Sequence, residues 1–280
     1  MSKALMIQGT SSGVGKTIIV TALCRIFSNT GYMVAPFKSQ NMSNYSYKKN
    51  GFEISRAQAI QAVAARAKIT AHMNPILLKP LGNYKSSVLV QGKFYKKMYA
   101  ETYYKKFALR YGLKFIKESL DWLRENYDLI VIEGAGSPAE FNLEKYDIAN
   151  MRIAEYARAP VILVADIDRG GSFASIVGTL ALLERRYRKL ISGYVINKFR
   201  GDMNILKPSF SKLKKKTGIP VIGTIPLTDF DIPEEDSLHS SPSKVNLNKK
   251  YLLHLDSEIE NLSKIVRSSL DMKAIERLLN

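Results

Sequence analysis

Apolar and polar positions fall in blocks along this chain rather than alternating residue by residue. Short unbroken apolar runs predict strands over residues 4–8, 33–37, 129–132, 161–165, 190–196 and 219–225. A run without polar alternates suits a strand covered on both faces, as in a parallel sheet. Between them, apolar residues three and four apart predict helices over 16–28, 53–68, 100–126, 148–157, 172–186 and 204–216. In 100–126 the stripe is Phe107, Leu113, Ile116, Leu120 and Leu123, with a break expected near Gly112. Residues 74–80 and 88–91 are expected to be extended, on either side of a turn at Gly82-Asn83-Tyr84. The polar, proline-interrupted stretch 240–248 predicts a linker. Residues 256–279 predict a closing amphipathic helix carrying Ile259, Leu262, Ile265, Val266, Leu270 and Ile275. Strands alternating with helices predict an α/β fold: a mostly parallel sheet, helices on both faces and right-handed crossovers, with the C-terminal helix added.

The first run leads into Gly9-Thr10-Ser11-Ser12-Gly13-Val14-Gly15-Lys16-Thr17. A buried strand, a glycine loop and a helix start form the phosphate-binding arrangement of P-loop NTPases. The loop's N–H groups can wrap an anion, Lys16 can reach the terminal phosphates of ATP, and the Thr17 hydroxyl can ligate Mg²⁺. Thr10 stands where the common pattern has its first glycine, with Gly9 one place earlier, so the loop is a variant. A plain glycine turn is the competing reading; Gly-Lys-Thr opening an apolar helix speaks against it.

Ligands of open α/β sheets lie beyond the carboxyl ends of the strands. The chain's polar clusters fall at those predicted ends: Gln8-Gly9, 38–44, 133–137, 166–171, Asn197-Lys198 and 224–227. Glu133 closes an apolar run and suits Mg²⁺, which takes one or two carboxylates beside phosphate and water; it could equally cap a turn. Asn197 offers the donor and acceptor an adenine edge requires, or serves a turn. Lys198 and Pro226 share these strand ends and are assigned with it to the nucleotide. Lys38 could neutralise a transferring phosphoryl group, or be a solvated lysine.

At 280 residues and 46% hydrophobic, the chain can bury a substantial core. No apolar run is long enough to span a bilayer and no signal sequence is visible, so cytoplasm is expected. Cys24 is the single cysteine, which precludes an internal disulfide. His72, His239 and His254 are scattered, so no metal cluster is expected. The net charge is +17, with lysines crowding 95–117 and 207–216. Such charge attracts nucleic acid, anionic lipid or acidic small molecules. The lysines sit mainly on polar sides of predicted helices, which favours a solvated surface. Neither a nucleic-acid nor a membrane partner is expected.

Several stretches together carry a resemblance. They are the loop itself, Pro36-Phe37-Lys38-Ser39-Gln40-Asn41-Met42-Ser43, Glu53-Ile54-Ser55-Arg56-Ala57-Gln58-Ala59 and Met73-Asn74-Pro75-Ile76-Leu77-Leu78-Lys79-Pro80. Further on are Glu133-Gly134-Ala135-Gly136-Ser137-Pro138-Ala139-Glu140, Asp166-Ile167-Asp168-Arg169-Gly170-Gly171, Val195-Ile196-Asn197-Lys198-Phe199-Arg200-Gly201-Asp202 and Pro233-Glu234-Glu235-Asp236-Ser237. Over about residues 1–238 the chain resembles the cobyric acid synthase family. Cobyrinic acid a,c-diamide synthases and dethiobiotin synthetases share the loop and the Glu-Gly-Ala-Gly element, which implies a dethiobiotin synthetase-like fold. The Gln-Asn-Met-Ser and Asp-Arg-Gly-Gly stretches favour the first family. Partitioning switch ATPases carry an extra lysine near the loop's start, where this chain has Thr10-Ser11-Ser12.

The resemblance implies ATP-dependent amidation of carboxylates b, d, e and g of a cobyrinic acid a,c-diamide corrinoid, through acyl phosphates that ammonia attacks. It places Lys16 and Thr17 at the triphosphate and metal, and Glu133 at the metal. Similarity to dethiobiotin synthetase adds Glu53 as a metal ligand. Lys38, Gln40, Asn41, Asp166, Asp168 and Arg169 are placed near the acceptor carboxylate or acyl phosphate. Residues 1–239 are expected to form the ligase domain and 240–280 a linker and closing helix, which packs on the core or forms a homodimer contact. Such synthases usually continue into a glutaminase domain with a Cys-His pair. This chain is not expected to hydrolyse glutamine, and takes ammonia from solution or from a separate glutaminase.

Overall fold

A computed structural model describes residues 2–233 and 249–280, with side chains in the closing segment from residue 253 onward. The expected linker at 240–248, the boundary at 239, His239 and residues 234–237 of the acidic motif lie outside the described residues. In chain order the strands are β1 (Lys3–Gly9), β2 (Val34–Phe37), β3 (Gln40–Met42), β4 (Ser46–Lys49), β5 (Phe52–Ser55), β6 (Ile76–Pro80), β7 (Lys85–Val90), β8 (Lys93–Tyr99), β9 (Leu129–Glu133), β10 (Val161–Asp166), β11 (Ile191–Phe199) and β12 (Val221–Pro226).

The central sheet has six strands in the order β12-β11-β10-β1-β9-β2, and every neighbouring pair is parallel. Along β1, Ala4 and Met6 enter one core while Leu5 and Ile7 enter the other. This two-sided burial is why the strand is apolar throughout. Helices Leu113–Asn126, Met151–Ala157, Ser172–Leu182 and Met203–Thr217 cover the first face. Helices Lys16–Asn29, Lys249–Ser269 and Met272–Leu278 cover the second. The closing segment therefore packs on the core, one of the two arrangements expected for it.

Residues 38–128 are inserted between β2 and β9. They add a sheet ordered β3-β6-β7-β8 and an antiparallel β4-β5 hairpin. Here the structure departs from the predicted elements. The helix expected over 53–68 runs only from Arg56 to Ala64. Phe52–Ser55 pairs with Ser46–Lys49 instead, and the Ser55 side chain caps the helix by accepting from Ala57 N. Lys93, Lys96 and Lys97, which lie ahead of the predicted helix and outside any predicted element, fall on exposed edge strand β8. Lysine is a common edge-strand residue because it discourages pairing with another chain.

The helix expected over 100–126 is continuous but changes winding at Gly112. Tyr103–Gly112 is π-wound and buries Tyr103, Phe107, Ala108 and Gly112, four or five residues apart. Leu113–Asn126 is α-helical and buries Ile116, Ser119, Leu120 and Leu123. The helix expected over 256–279 is interrupted at Leu270, which bridges to Gly223 on β12. A Cβ on Gly223 would lie 2.3 Å from Leu270 Cδ2, so only glycine admits this approach. Asp271 then caps the last helix by accepting from Ala274 N.

Candidate functional site

Strand β1 delivers the glycine loop to the carboxyl edge of the sheet, where helix Lys16–Asn29 begins. Gly15 is left-handed at φ 98°, and a Cβ there would lie 2.2 Å from Asn197 Nδ2. A side chain at this position would fill the space the loop needs. Two residues at the end of β11 hold the crest: Asn197 Nδ2 donates to Val14 O at 2.8 Å and Lys198 Nζ to Gly13 O at 2.8 Å. Lys16 is buried, and its ammonium donates to Ser11 O at 3.0 Å and Gly136 O at 2.9 Å. The helix N-terminus and the exposed backbone N–H groups make this an anion cradle.

Beside it, at the end of β9, Glu133 is fully buried. Its Oε1 accepts from Thr17 Oγ1 at 2.9 Å and from Lys38 Nζ at 2.8 Å, and its Oε2 accepts from Gln61 Nε2 at 2.6 Å. These charge-assisted contacts offset the cost of burying a carboxylate. The donor set is a hydroxyl and a carboxylate at an anion cradle, which fits a small hard divalent cation completed by phosphate oxygens. Among the described residues no group of three or more His, Cys, Asp or Glu gathers to hold a metal alone. Thr17 and Glu133, 116 residues apart, are thus brought together with Lys38.

Glu53 stands elsewhere. On β5 it pairs with Lys79, with Lys48 at 3.3 Å and with Ser46 Oγ at 2.5 Å. Burial pushes its carboxyl up, but the Lys79 and Ser46 hydrogen bonds and the Lys79 and Lys48 charges outweigh that and hold it below the ordinary glutamate value. None of these described partners is also a described partner of Thr17 or Glu133. Asp166 accepts from Lys198 Nζ at 2.8 Å and Asp168 N at 2.9 Å. Asp168 accepts from Arg200 Nε at 2.6 Å, and Arg169 is exposed. Lys198 therefore clips the loop to the end of β10. Pro226 is exposed at the end of β12.

Gln40 and Asn41, neighbours on β3, serve different surroundings. Gln40 Oε1 accepts from Tyr103 OH at 2.6 Å. It lines a cavity of about 300 Å³ with Ser12, Tyr104, Ser137, Tyr146 and Asn150. That cavity opens beside the loop at Ser12. Asn41 is buried and donates to Ser55 Oγ at 2.8 Å and Gln58 Oε1 at 3.0 Å. Gln58 and Gln61 were not singled out in the sequence. Their signal was two glutamines one turn apart in an alanine-rich helix. Cys24 is buried beneath the site, and burial, then the charge of Glu133, pushes its thiol far above the usual range. It is inert as a nucleophile. No helix among the described residues is long and apolar enough to cross a membrane.

A family model described as the CobQ/CobB/MinD/ParA nucleotide binding domain matches residues 5–239. A probable cobyric acid synthase from Thermococcus onnurineus (strain NA1) is 55% identical over 250 residues, 88% of this chain and 51% of that relative. A cobyric acid synthase from Caldanaerobacter subterraneus subsp. tengcongensis is 55% identical over 237 residues, 84% of this chain and 46% of the relative. A probable cobyric acid synthase from Methanococcus maripaludis (strain C6) is 50% identical over 285 aligned residues, 99% of this chain and 57% of the relative. The chain spans about half the length of these curated relatives.

Proposed function

The chain belongs to the CobQ/CobB/MinD/ParA nucleotide binding domain family, and from that premise we propose that it forms amides on carboxylates b, d, e and g of a cobyrinic acid a,c-diamide corrinoid at the expense of ATP. The observation that carries this reading is the buried Glu133 held by Thr17 of the loop and Lys38 at the end of β2. The names of the relatives support the substrate class.

An acceptor carboxylate is already ionised at neutral pH, so the phosphoryl step needs no general base. Its oxygen attacks the γ-phosphorus, the bond to the bridging oxygen breaks, and ADP leaves. Ammonia then attacks the acyl carbon, phosphate departs and the nitrogen sheds a proton. What the chain supplies is position and charge. Lys16 exchanges Ser11 and Gly136 carbonyls for the terminal phosphates, and Asn197, Lys198 and Pro226 shape the nucleotide's surroundings. Thr17 and Glu133 hold Mg²⁺, which when bound screens the phosphate charge. Lys38, Gln40 and Asn41 are assigned on this reading to the acceptor carboxylate, with Gln40 lining the cavity, and Asp166, Asp168 and Arg169 to the acyl phosphate. For Glu53 a metal role requires release from Lys79 and Lys48. Residues 1–239 form the ligase domain on this reading, and 240–280 the linker and docked closing helix. On this reading the nitrogen donor is ammonia, from solution or from a glutaminase.

Mass spectrometry of the corrinoid after incubation with Mg-ATP tests this. Progressive amidation with ammonium, and none with glutamine alone, is expected. Lys16→Ala should keep the circular dichroism of the native fold and give no product. Unmodified corrinoid with either donor would overturn the function, and normal turnover by Lys16→Ala would overturn the role of the loop.

A further inference from the structure

Gln58 and Gln61 are fully buried one turn apart on helix Arg56–Ala64. Residues three apart share a helix face, and this face meets Glu133, while Ile60 and Ala64 enter the apolar core. Burying an amide is costly unless its polar atoms find partners. Here the partners form a series. Asn41 Nδ2 donates to Gln58 Oε1 at 3.0 Å, Gln58 Nε2 to Gln61 Oε1 at 3.3 Å, and Gln61 Nε2 to Glu133 Oε2 at 2.6 Å.

The direction of this series follows from charge. An ionised carboxylate can only accept, so Gln61 must turn its NH₂ toward Glu133. The Gln61 carbonyl then requires a donor, which orients Gln58, and the Gln58 carbonyl orients Asn41. The far end is β3, where successive side chains point to opposite faces. Asn41 enters the series, and Gln40 beside it lines the cavity next to Ser12.

We propose that Gln61 and Gln58 are positioning residues for Glu133, and that the one-way series from Asn41 through Gln58 and Gln61 locks the metal-side carboxylate to the acceptor strand β3. The inference rests on the reading of Glu133 as a ligand of the nucleotide's Mg²⁺. Thr17 and Lys38 hold one carboxylate oxygen and Gln61 holds the other, so the plane of the carboxylate is pinned at both ends. Without the Gln61 donor, Oε2 loses the amide hydrogen bond that helps to orient it.

The test is calorimetric titration of the full chain with ATP, in excess Mg²⁺ and again in EDTA, for the native protein, Gln61→Met, Gln58→Met and the double variant. Methionine keeps the length of the side chain and removes the amide. Gln61→Met should weaken Mg-ATP binding about tenfold or more, the usual scale for losing a partner of a metal ligand, and leave binding in EDTA unchanged. Gln58→Met should act in the same direction and less strongly. The double variant should add little to Gln61→Met, because the groups form one series. Gln58→Met, one link away, decides the matter where Gln61→Met misfolds. Equal Mg-ATP affinity in the variants, or equal losses with and without Mg²⁺, would overturn the positioning role and leave the nucleotide site standing. A native protein indifferent to Mg²⁺ would remove the role of Glu133 and the inference together.

Discussion

Two carboxylates of this protein show how partners decide a residue's task. Glu133 is fully buried and meets a loop hydroxyl, a lysine and an amide; Glu53 meets Lys79, Lys48 and Ser46 on a hairpin. The Glu53 carboxyl is held below its ordinary value, so folding favours its ionised form. Its contribution to stability is therefore complete above the ordinary glutamate range and is lost as pH falls through the lowered folded value. On acidification from about pH 6 to about pH 3, the native protein should lose more thermal stability than Glu53→Gln, which starts lower and changes less. Parallel melting curves for the two proteins across that window would show that the Lys79 pair contributes nothing. The surroundings of Lys16 and Thr17 were legible because the loop is local in sequence. Those of Gln58 and Gln61 were not, because a glutamine in an alanine-rich helix looks solvent-facing until Asn41 and Glu133 are brought to it from other elements.

Among the elements, legibility followed burial. Strands β1, β9 and β10 are covered on both faces and spell unbroken apolar runs. Strand β3 is Gln40-Asn41-Met42 and β8 is mostly lysine and aromatic, so pairing rather than hydropathy makes them strands. The closing helix was legible by its stripe, but what fastens it was not. Arg25 is 1% exposed. Its guanidinium donates to Ala64 O at 2.9 Å and Val63 O at 3.4 Å, carbonyls in the last turn of helix Arg56–Ala64. It also pairs with Asp256, and with Glu260 at 3.3 Å, on the closing helix. One buried cation thus joins three helices. Arg25→Ala should destabilise the protein by about 2–3 kcal/mol, the range for losing hydrogen bonds to a charged group, because Asp256 and Glu260 stay partly solvated. Arg25→Lys should fall between, since an ammonium cannot reproduce the fork. Urea midpoints would give both values; a loss from Arg25→Ala no larger than that of an exposed pair would show that the closing helix is held by its apolar stripe alone.

At the scale of the whole molecule the question is whether a net charge of +17 reaches the chemistry. Cations that bind a phosphodiester backbone must be exposed, as on the outer residues of β8 and the Lys214, Lys215 and Lys216 end of helix Met203–Thr217. The lysines beside the loop are of another kind. Lys16 and Lys38 are buried and bonded to Gly136 O and Glu133. The exposed set suits adsorption of a polyanion at the outer surface. On the proposed function the acceptor arm instead enters beside Ser12 and Gln40, next to the loop. ATP hydrolysis should therefore rise when the corrinoid and ammonium are added together, and stay at its basal rate with duplex DNA or anionic vesicles. DNA binding through surface lysines alone would fall steeply with salt. Measuring hydrolysis at low and at about 0.15 M salt separates adsorption from activation. Stimulation by DNA that persisted at the higher salt would mean that the surface charge is coupled to the loop, and a switch ATPase would then be the better account of this protein.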